Sequence, residues 1–530
     1  MKKIKKLINN LTDNKKIITI FIVFLIIQPI LDIYILFTDD VINIFKFSPA
    51  TIIRIIVIMG LFILYVFSDK NRKHLKYWIL YAIIIIVYTI IHLYNCLEMN
   101  NFINSAYRVS IISEIFYIIR MMLPLFIAYI SFNYKMSFKE LSLIITSVIL
   151  IFCIILIFSH FTKTSLKSYV EGNEKISQTV FDWIFNSDNV TKMEDSLSKG
   201  IFRGANQLGN LLAMLLPIML YITVRKTNFI NCLTTFLQVF SCILIGTRVA
   251  SLTWIMVFAC FILMIIYFSL IKKHFKVSKF IWIYFIIIFL FNGYVLSKSP
   301  TWLRKFDDSE TIKAIQEKNN TESSMKDINR KISENLISSK NALNELEWLK
   351  NEILDFIEKN YTQFGIQKIF IIDIYNYHCD PLFWIDIMNS SYDTYNNSRK
   401  MQFRIAERIF ELNDNVLDIF VGIGFSTTRN GQLYTEKDFY AHYYTLGTVG
   451  LILFIIIQII LLVIAIIKMF FYWKNKFNLE NVVYIMSLIM IYGIALISAH
   501  VLDELIVTIF IGFVLGQLLN NIFINKEIEE

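Results

Sequence analysis

Apolar positions arrive in long unbroken runs, not in the alternation of strands or the narrow stripe of surface helices. Twelve runs approach the roughly 20 residues that a helix needs to cross a hydrocarbon core. They fall near residues 17–37, 48–67, 77–97, 110–131, 140–160, 204–224, 229–246, 249–271, 279–297, 443–468, 481–499 and 502–523. Only tight turns separate two of the pairs, at Gly246-Thr247-Arg248 and around His500 to Asp503. The pattern changes after the ninth run. Within 309–360, Ile328, Ile332, Leu336, Leu343, Leu346, Leu349, Ile353 and Phe356 recur at three-to-four spacing among charges, which predicts a hairpin of two amphipathic helices. A further amphipathic helix is expected over 399–412, and Ile366 to Ile374 reads as a short strand or an interfacial helix. The segment 161–203 is also too long for a mere connection. The architecture expected is an all-α polytopic membrane protein. About twelve transmembrane helices carry a large, mainly helical extracytoplasmic loop between the ninth and tenth. Helices one to nine occupy 1–297, the loop domain 298–442 and helices ten to twelve 443–530.

Composition agrees and adds orientation. Of 530 residues, 56% are hydrophobic and 18% charged, where a soluble domain carries roughly 25% charged residues. That excludes disorder, a fibrous repeat and a simple soluble enzyme, and six cysteines exclude a disulfide scaffold. The net charge of +9 becomes a question of sides, not a nucleic-acid signal. With the N-terminus inside, the cytoplasmic segments 1–16, 68–76, 132–140, 225–228, 272–279, 474–480 and 524–530 hold 21 Lys and Arg, against 3 in the short outer loops. Both termini are therefore expected in the cytoplasm. Met1-Lys2-Lys3 opens like a signal peptide, but Gln28, Pro29 and Asp32 stand where a cleavage site would be, so the run reads as an uncleaved first helix. Residues 298–438 hold 18 Lys and Arg and 22 Asp and Glu, a soluble-type insert on an apolar chain. Cys96 and Cys379 are the cysteines placed to face outside, and one disulfide between them is conceivable. No Cys/His cluster has metal-ligand spacing.

Charges inside spans mark function or a paired partner. Asp32 and Arg54 lie at similar depth in the first two runs, and a structural ion pair is the simplest account. Glu114 and Arg120 share the fourth run but not one face, and Arg120, close to Pro124, is a candidate to line a substrate cavity. Arg203 opens the sixth run in Gly200-Ile201-Phe202-Arg203-Gly204-Ala205-Asn206, and Arg248 stands at the outer tip between the seventh and eighth. Asp503 and Glu504 sit at the last outer turn. His74 and His274 fall in basic cytoplasmic loops, whereas His92, His160, His378, His442 and His500 are expected to face outward. Five glycines crowd residues 421–450, where Gly422 and Gly424 permit backbone angles that side chains forbid. Arginine forks suit phosphate oxygens, and histidine accepts a proton near neutral pH. Two arginines and a histidine on one face suit transfer from a diphosphate-activated donor. Taken singly, an outer-face arginine more often anchors a helix at the headgroups.

At these residues the chain resembles the O-antigen ligase and O-antigen polymerase proteins, which assemble bacterial surface polysaccharide. The resemblance rests on the twelve-span pattern with its large loop, on Arg203-Gly204-Ala205-Asn206-Gln207-Leu208-Gly209-Asn210, and on Gly246-Thr247-Arg248. It rests also on Gly422-Ile423-Gly424-Phe425 followed by His442 and by Gly447 to Gly450. It implies His442 as general base, Arg203 and Arg248 as ligands of the diphosphate, and Arg120, Arg54, Asn206, Asn210, Gly422 and Gly424 around a substrate cavity. It also implies a metal-independent inverting glycosyltransferase of the bacterial cytoplasmic membrane with no cofactor. The partners implied are a polyprenyl-diphosphate-linked oligosaccharide, a glycan or lipid acceptor and membrane lipids, with no nucleic acid. Tyr443 follows His442 where the family often has Asn, a departure that bears on the acceptor. A lipid-linked glycan flippase or other transporter is the competing class, and it predicts discontinuous helices and related halves. A metal-dependent transferase using Asp39-Asp40 is the third.

Overall fold

The structure is a computed structural model that describes residues 14–45, 47–68, 74–170, 172–185, 195–272, 277–302, 322–334, 346–390, 398–433, 435–497 and 501–524. His274, Leu336, Leu343, His500 and the basic residues before Asn14 lie outside the described residues. Among those described, the chain is helical with three isolated two-residue bridges and no named strand. The physical reason is that hydrocarbon supplies no partner for peptide N–H and C=O groups, so each run must satisfy its own.

In chain order the long apolar helices begin with α1 (Asn14–Ile26), α2 (Pro49–Val66), α3 (Leu75–Glu98), α4 (Ile111–Asn133) and α5 (Phe138–Phe161). They continue with α6 (Ala205–Arg225), α7 (Phe229–Ile245), α8 (Arg248–Ile266) and α9 (Lys279–Ser297). The insert supplies α10 (Glu322–Glu334), α11 (Glu347–Asn360), α12 (Pro381–Asn389), α13 (Ser398–Asn413), α14 (Val416–Val421) and α15 (Phe425–Asn430). Then come α16 (Asp438–Leu451), α17 (Ile457–Phe471), α18 (Leu479–Ile497) and α19 (Leu505–Phe523). Of the twelve expected spans, ten meet the length and hydropathy of a membrane crossing among the described residues, α16 and α17 counting as one run, Asp438–Phe471. The first and seventh fall short. α1 stops at Ile26 because Pro29 has no N–H to continue the ladder and its ring clashes with the preceding turn. The chain then proceeds through the 3-10 turns Ile30–Asp32 and Tyr34–Phe37. α7 has 17 residues, bounded by the N-cap Asn228, whose side chain accepts from Asn231 N, and by Gly246 in the left-handed region at φ 71°.

The chain divides into two compact units, one of Met1–Ala82, Ile119–Lys305 and Phe454–Glu530, the other of Ile83–Ile118 and Phe306–Leu453. In the first, α6 and α19 are the most completely buried spans. Segment 161–203 is tied down there. Ser198 N donates to Leu244 O, and Lys167 pairs with Glu174 at 2.9 Å and with Asp195 at 2.6 Å. In the second unit the insert shares one core with the connection between α3 and α4. Ile328, Leu349, Ile353, Trp384, Ile405 and Ile409 pack with Met99, Phe102 and Tyr107. The expected amphipathic stripe thus buries its apolar face, with Ile332 and Leu346 at its margin. Residues Ile369–Ile374 form a π-helical turn whose Phe370, Ile371 and Ile374 are buried in this core, so the segment is helical and not a strand. The helix expected over 399–412 is α13, which buries Met401, Ile405, Ala406 and Ile409 on one face.

Candidate functional site

The first unit holds a charged cluster built on the break in α1. Gln28 Nε2 donates to Phe24 O at 2.9 Å, and its Oε1 accepts from Arg54 Nε at 2.9 Å. Arg54 Nη2 lies 3.7 Å from Asp32 Oδ1, with both side chains buried, so the expected ion pair is present. The chain beyond Asp32 pairs with the strand-like entry to α6. Arg203 N donates to Asp32 O at 3.0 Å, and Tyr34 N donates to Ile201 O at 2.8 Å. Two backbone hydrogen bonds thus tie the entry of α6 to the chain beyond the break in α1. Its Nη1 donates to Glu504 Oε2 at 2.6 Å, and its guanidinium lies 4.7 Å from the centre of the Phe37 ring. Gln207, one turn into α6, donates to the other oxygen of Glu504 at 3.1 Å. Burial would lower the Arg203 pKa, but Glu504, Asp32 and Asp503 hold it above the ordinary value. Arg120 donates through Nη2 to Asp503 O. Arg54, Arg120 and Arg203 thus share one electrostatic cluster with Asp32 and Glu504.

The remaining residues expected in this unit lie differently. Arg248 is the first residue of α8, exposed, behind the N-cap Thr247 whose side chain accepts from Ala250 N. Asn206 is exposed and Asn210 is buried, with its amide nitrogen unbonded. Asp39 and Asp40 are exposed in the first turn of a short helix, Asp39–Phe45. His160 is buried instead of facing out and accepts from Val180 N at 3.0 Å.

The second unit holds the histidine site. His442, on α16 and 2% exposed, has Nδ1 at 2.9 Å from the Tyr117 hydroxyl. Tyr117 stacks on Phe425 of the Gly-x-Gly-Phe segment, with ring centres 4.0 Å apart and planes 7° off parallel. Glu114, one turn before Tyr117 on α4, accepts from Phe425 N at 3.0 Å and also from Ser426 N and Ser426 Oγ. His92 is wholly buried. Its Nδ1 donates to Val421 O at 2.6 Å and its Nε2 lies 3.3 Å from Glu114 Oε2. Asn95 donates to Asp418 Oδ1 at 2.8 Å and to Gly422 O at 2.9 Å. Burial, then Glu98, raises the Asp418 carboxyl above its ordinary range against the hydrogen bonds it accepts from Asn413 and Asn95.

The glycines explain how this segment lies on α16. Gly422 (φ 76°) sits where a Cβ would meet Thr445 O at 2.4 Å, and Gly424 (φ 96°) where it would meet Cys96 Sγ and Glu114 Oε1 at 2.8 Å. Ile423 N donates to Tyr444 O at 2.9 Å and Gly424 N to Thr445 O at 3.1 Å. Gly422 and Gly424 are thus packed backbone, and the helix turn carrying His442 is the surface they pack on. The six cysteines are unbridged. Cys96 is buried against His92 instead of facing Cys379.

Sequence reasoning singled out Arg54, Arg203, Glu504, Glu114 and His442 but missed Gln28 as the partner of Arg54, Gln207 as that of Glu504, His92 as that of Glu114 and Tyr117 as that of His442. The usable signal was a polar residue inside each apolar run. Among the described residues no three His, Cys, Asp or Glu side chains gather in a way that could hold a metal ion. The sequence pattern of one protein family, described as O-antigen ligase like membrane protein, matches residues 14–525. No curated protein is similar enough to match the chain.

Proposed function

The chain belongs to the family of O-antigen ligase-like membrane proteins, a family of surface-polysaccharide assembly, and we propose that it polymerises or ligates polyprenyl-diphosphate-linked glycans. The proposed place is the outer face of the cytoplasmic membrane, with both termini inside and the loop of residues 298–442 outside. In the proposed step an acceptor hydroxyl attacks the anomeric carbon of the donor sugar. The C–O bond to the diphosphate breaks with inversion, His442 takes the hydroxyl proton, and Arg203 and Arg248 stabilise the leaving diphosphate as its charge develops. We assign that stabilisation to arginine forks and not to a metal.

The observation that carries this reading is the fixing of Arg203. Glu504 engages one of the five donors of its guanidinium, so the fork is oriented before any ligand arrives, and electrostatic stabilisation is strongest when it needs no reorganisation. Arg54, Arg120, Asn206 and Asn210 are assigned to the cavity around it, and Gly422 and Gly424 to the positioning of the His442 turn. The deciding measurement is the lipid-linked glycan and polymer profile of cells carrying Arg203→Ala or His442→Ala, with protein level verified. Accumulated lipid-linked donor with no polymer or ligated product is expected, and an unchanged profile overturns the reading. The product that disappears, a longer lipid-linked chain or a glycan on another acceptor, separates polymerase from ligase. One observation favours the flippase class, the interruption of α1 at Pro29, since discontinuous helices are common at transporter sites. Transbilayer movement of the lipid-linked glycan in vesicles without glycosidic bond formation would decide for it.

A further inference from the structure

The first unit contains an open, almost wholly apolar cavity of about 460 Å³. Trp78 and Tyr81 from the start of α3, Tyr129 and Phe132 from the end of α4, Leu461 of α17 and Phe523 of α19 line it. That volume lies within the usual range of small-ligand sites, roughly 300–1,000 Å³, and apolar walls among membrane-spanning helices suit hydrocarbon. Hydrocarbon alone would not select one lipid, but the rim does. Lys468 lies two turns beyond Leu461 on α17, with Nζ 3.9 Å from the centre of the Phe523 ring. Lys476 donates to Asn521 O at 2.7 Å, two residues before Phe523. Burial, then the charges of Lys135 and Lys468, lowers the pKa of Lys476. The neighbouring carboxylate, Glu480, is held by Tyr221, Tyr484 and Asn521 and lies 3.8 Å from Arg225. A phosphate at the rim would relieve the repulsion among these lysines, and basic pockets between membrane helices bind anionic headgroups for that reason.

We propose that this cavity is a binding site for an anionic phospholipid, with an acyl chain along Trp78 and Leu461 and the phosphate on Lys468 and Lys476. The site stands apart from the proposed transfer chemistry and does not depend on it. The test is native mass spectrometry of the full chain in detergent, titrated with phosphatidylglycerol or phosphatidylcholine of matched chains. Wild type is expected to retain phosphatidylglycerol roughly tenfold or more above phosphatidylcholine. Lys468→Gln with Lys476→Gln is expected to erase the difference, Lys468→Arg with Lys476→Arg to keep it, and Leu461→Trp to lower retention of both lipids. Equal retention by wild type, or a preference intact in the double glutamine variant, overturns the proposal. Displacement of the lipid by glycerol phosphate alone overturns the assignment of the acyl chain to the cavity.

Discussion

In the first unit two arginines, Arg54 and Arg203, are held by carboxylates and a glutamine from elsewhere in the chain, and Arg120 by the main-chain carbonyl of Asp503. Arg203 reaches Glu504, and Arg54 reaches Gln28 and Asp32. In the second unit the bound groups are a histidine, a phenol and a carboxylate, and what places them is backbone. Gly422, Gly424 and Gly447 take positive φ, and the Glu114 carboxylate accepts two backbone N–H groups. Long charged side chains can be fixed from a distance, so the first cluster tolerates irregular chain around it, including the break at Pro29. A short imidazole cannot reach, so the second site has to bring the main chain close. The first cluster should therefore be the more sensitive to loss of charge, and the second the more sensitive to a Cβ added at Gly422, Gly424 or Gly447.

The largest expected effect tests whether both halves belong to one reaction. His442→Ala is expected to lower transfer by about 10²–10⁴-fold, the range for loss of a general base. Arg203→Ala is expected to lower it by about 10²–10³-fold, the range for one charge-stabilising donor. Both are read as turnover of lipid-linked glycan by purified protein. If only one of the two variants loses activity, the shared mechanism fails.

Next comes the charge half alone. Arg54→Met leaves Asp32 buried without its partner and is expected to cost about 3–5 kcal/mol, seen as a lower midpoint of thermal unfolding in detergent. Adding Asp32→Asn is expected to recover a large part of that loss, because the two sites are coupled. If the double variant is less stable than the single one, the pair is not held together by charge.

The backbone half is sharpened by two glycines. At Gly447 (φ 68°) a Cβ would lie 2.3 Å from Phe420 C and Val421 N, whereas at Gly60 nothing lies within 4 Å. Gly447→Ala is expected to destabilise by roughly 1–3 kcal/mol from backbone strain, with protein level and unfolding midpoint as readouts. Gly60→Ala within α2 is expected to be neutral or stabilising by up to about 1 kcal/mol. Similar behaviour of the two variants would remove the contrast.

The same contrast explains what could be read in advance. Hydropathy located the helices because a membrane crossing is a local property of some twenty residues. The Asp32–Arg54 pair was legible because a charge in an apolar run is rare enough to need a partner. Local signals also sufficed for α13 and for the buried stripe of α10 and α11. The interruption of α1 was hidden, since Gln28-Pro29 reads equally well as a kink within one span. Arg203 and Glu504 are 301 positions apart, and Tyr117 and His442 are 325 apart. Nothing local pairs them. The glycines near Gly422 were visible, but their close approach to Thr445 and Glu114 is a property of packing that composition cannot carry.

The smallest effect examines how His442 is oriented. Tyr117→Phe removes one hydroxyl and keeps the ring that stacks on Phe425. The stacked ring is therefore kept, and the hydrogen bond to His442 Nδ1 is lost. A net hydrogen bond is worth about 1 kcal/mol, which corresponds to roughly a fivefold fall in turnover if the bond is made firmly in the transition state and not before it. Because the hydroxyl touches the imidazole and not the substrate, kcat should fall while KM stays put. A loss as large as that of His442→Ala would make the phenol a participant in proton transfer. No loss at all would mean that α16 and its backbone contacts to Ile423 and Gly424 orient the imidazole without help from the phenol, which would extend the rule of the second unit to its central residue.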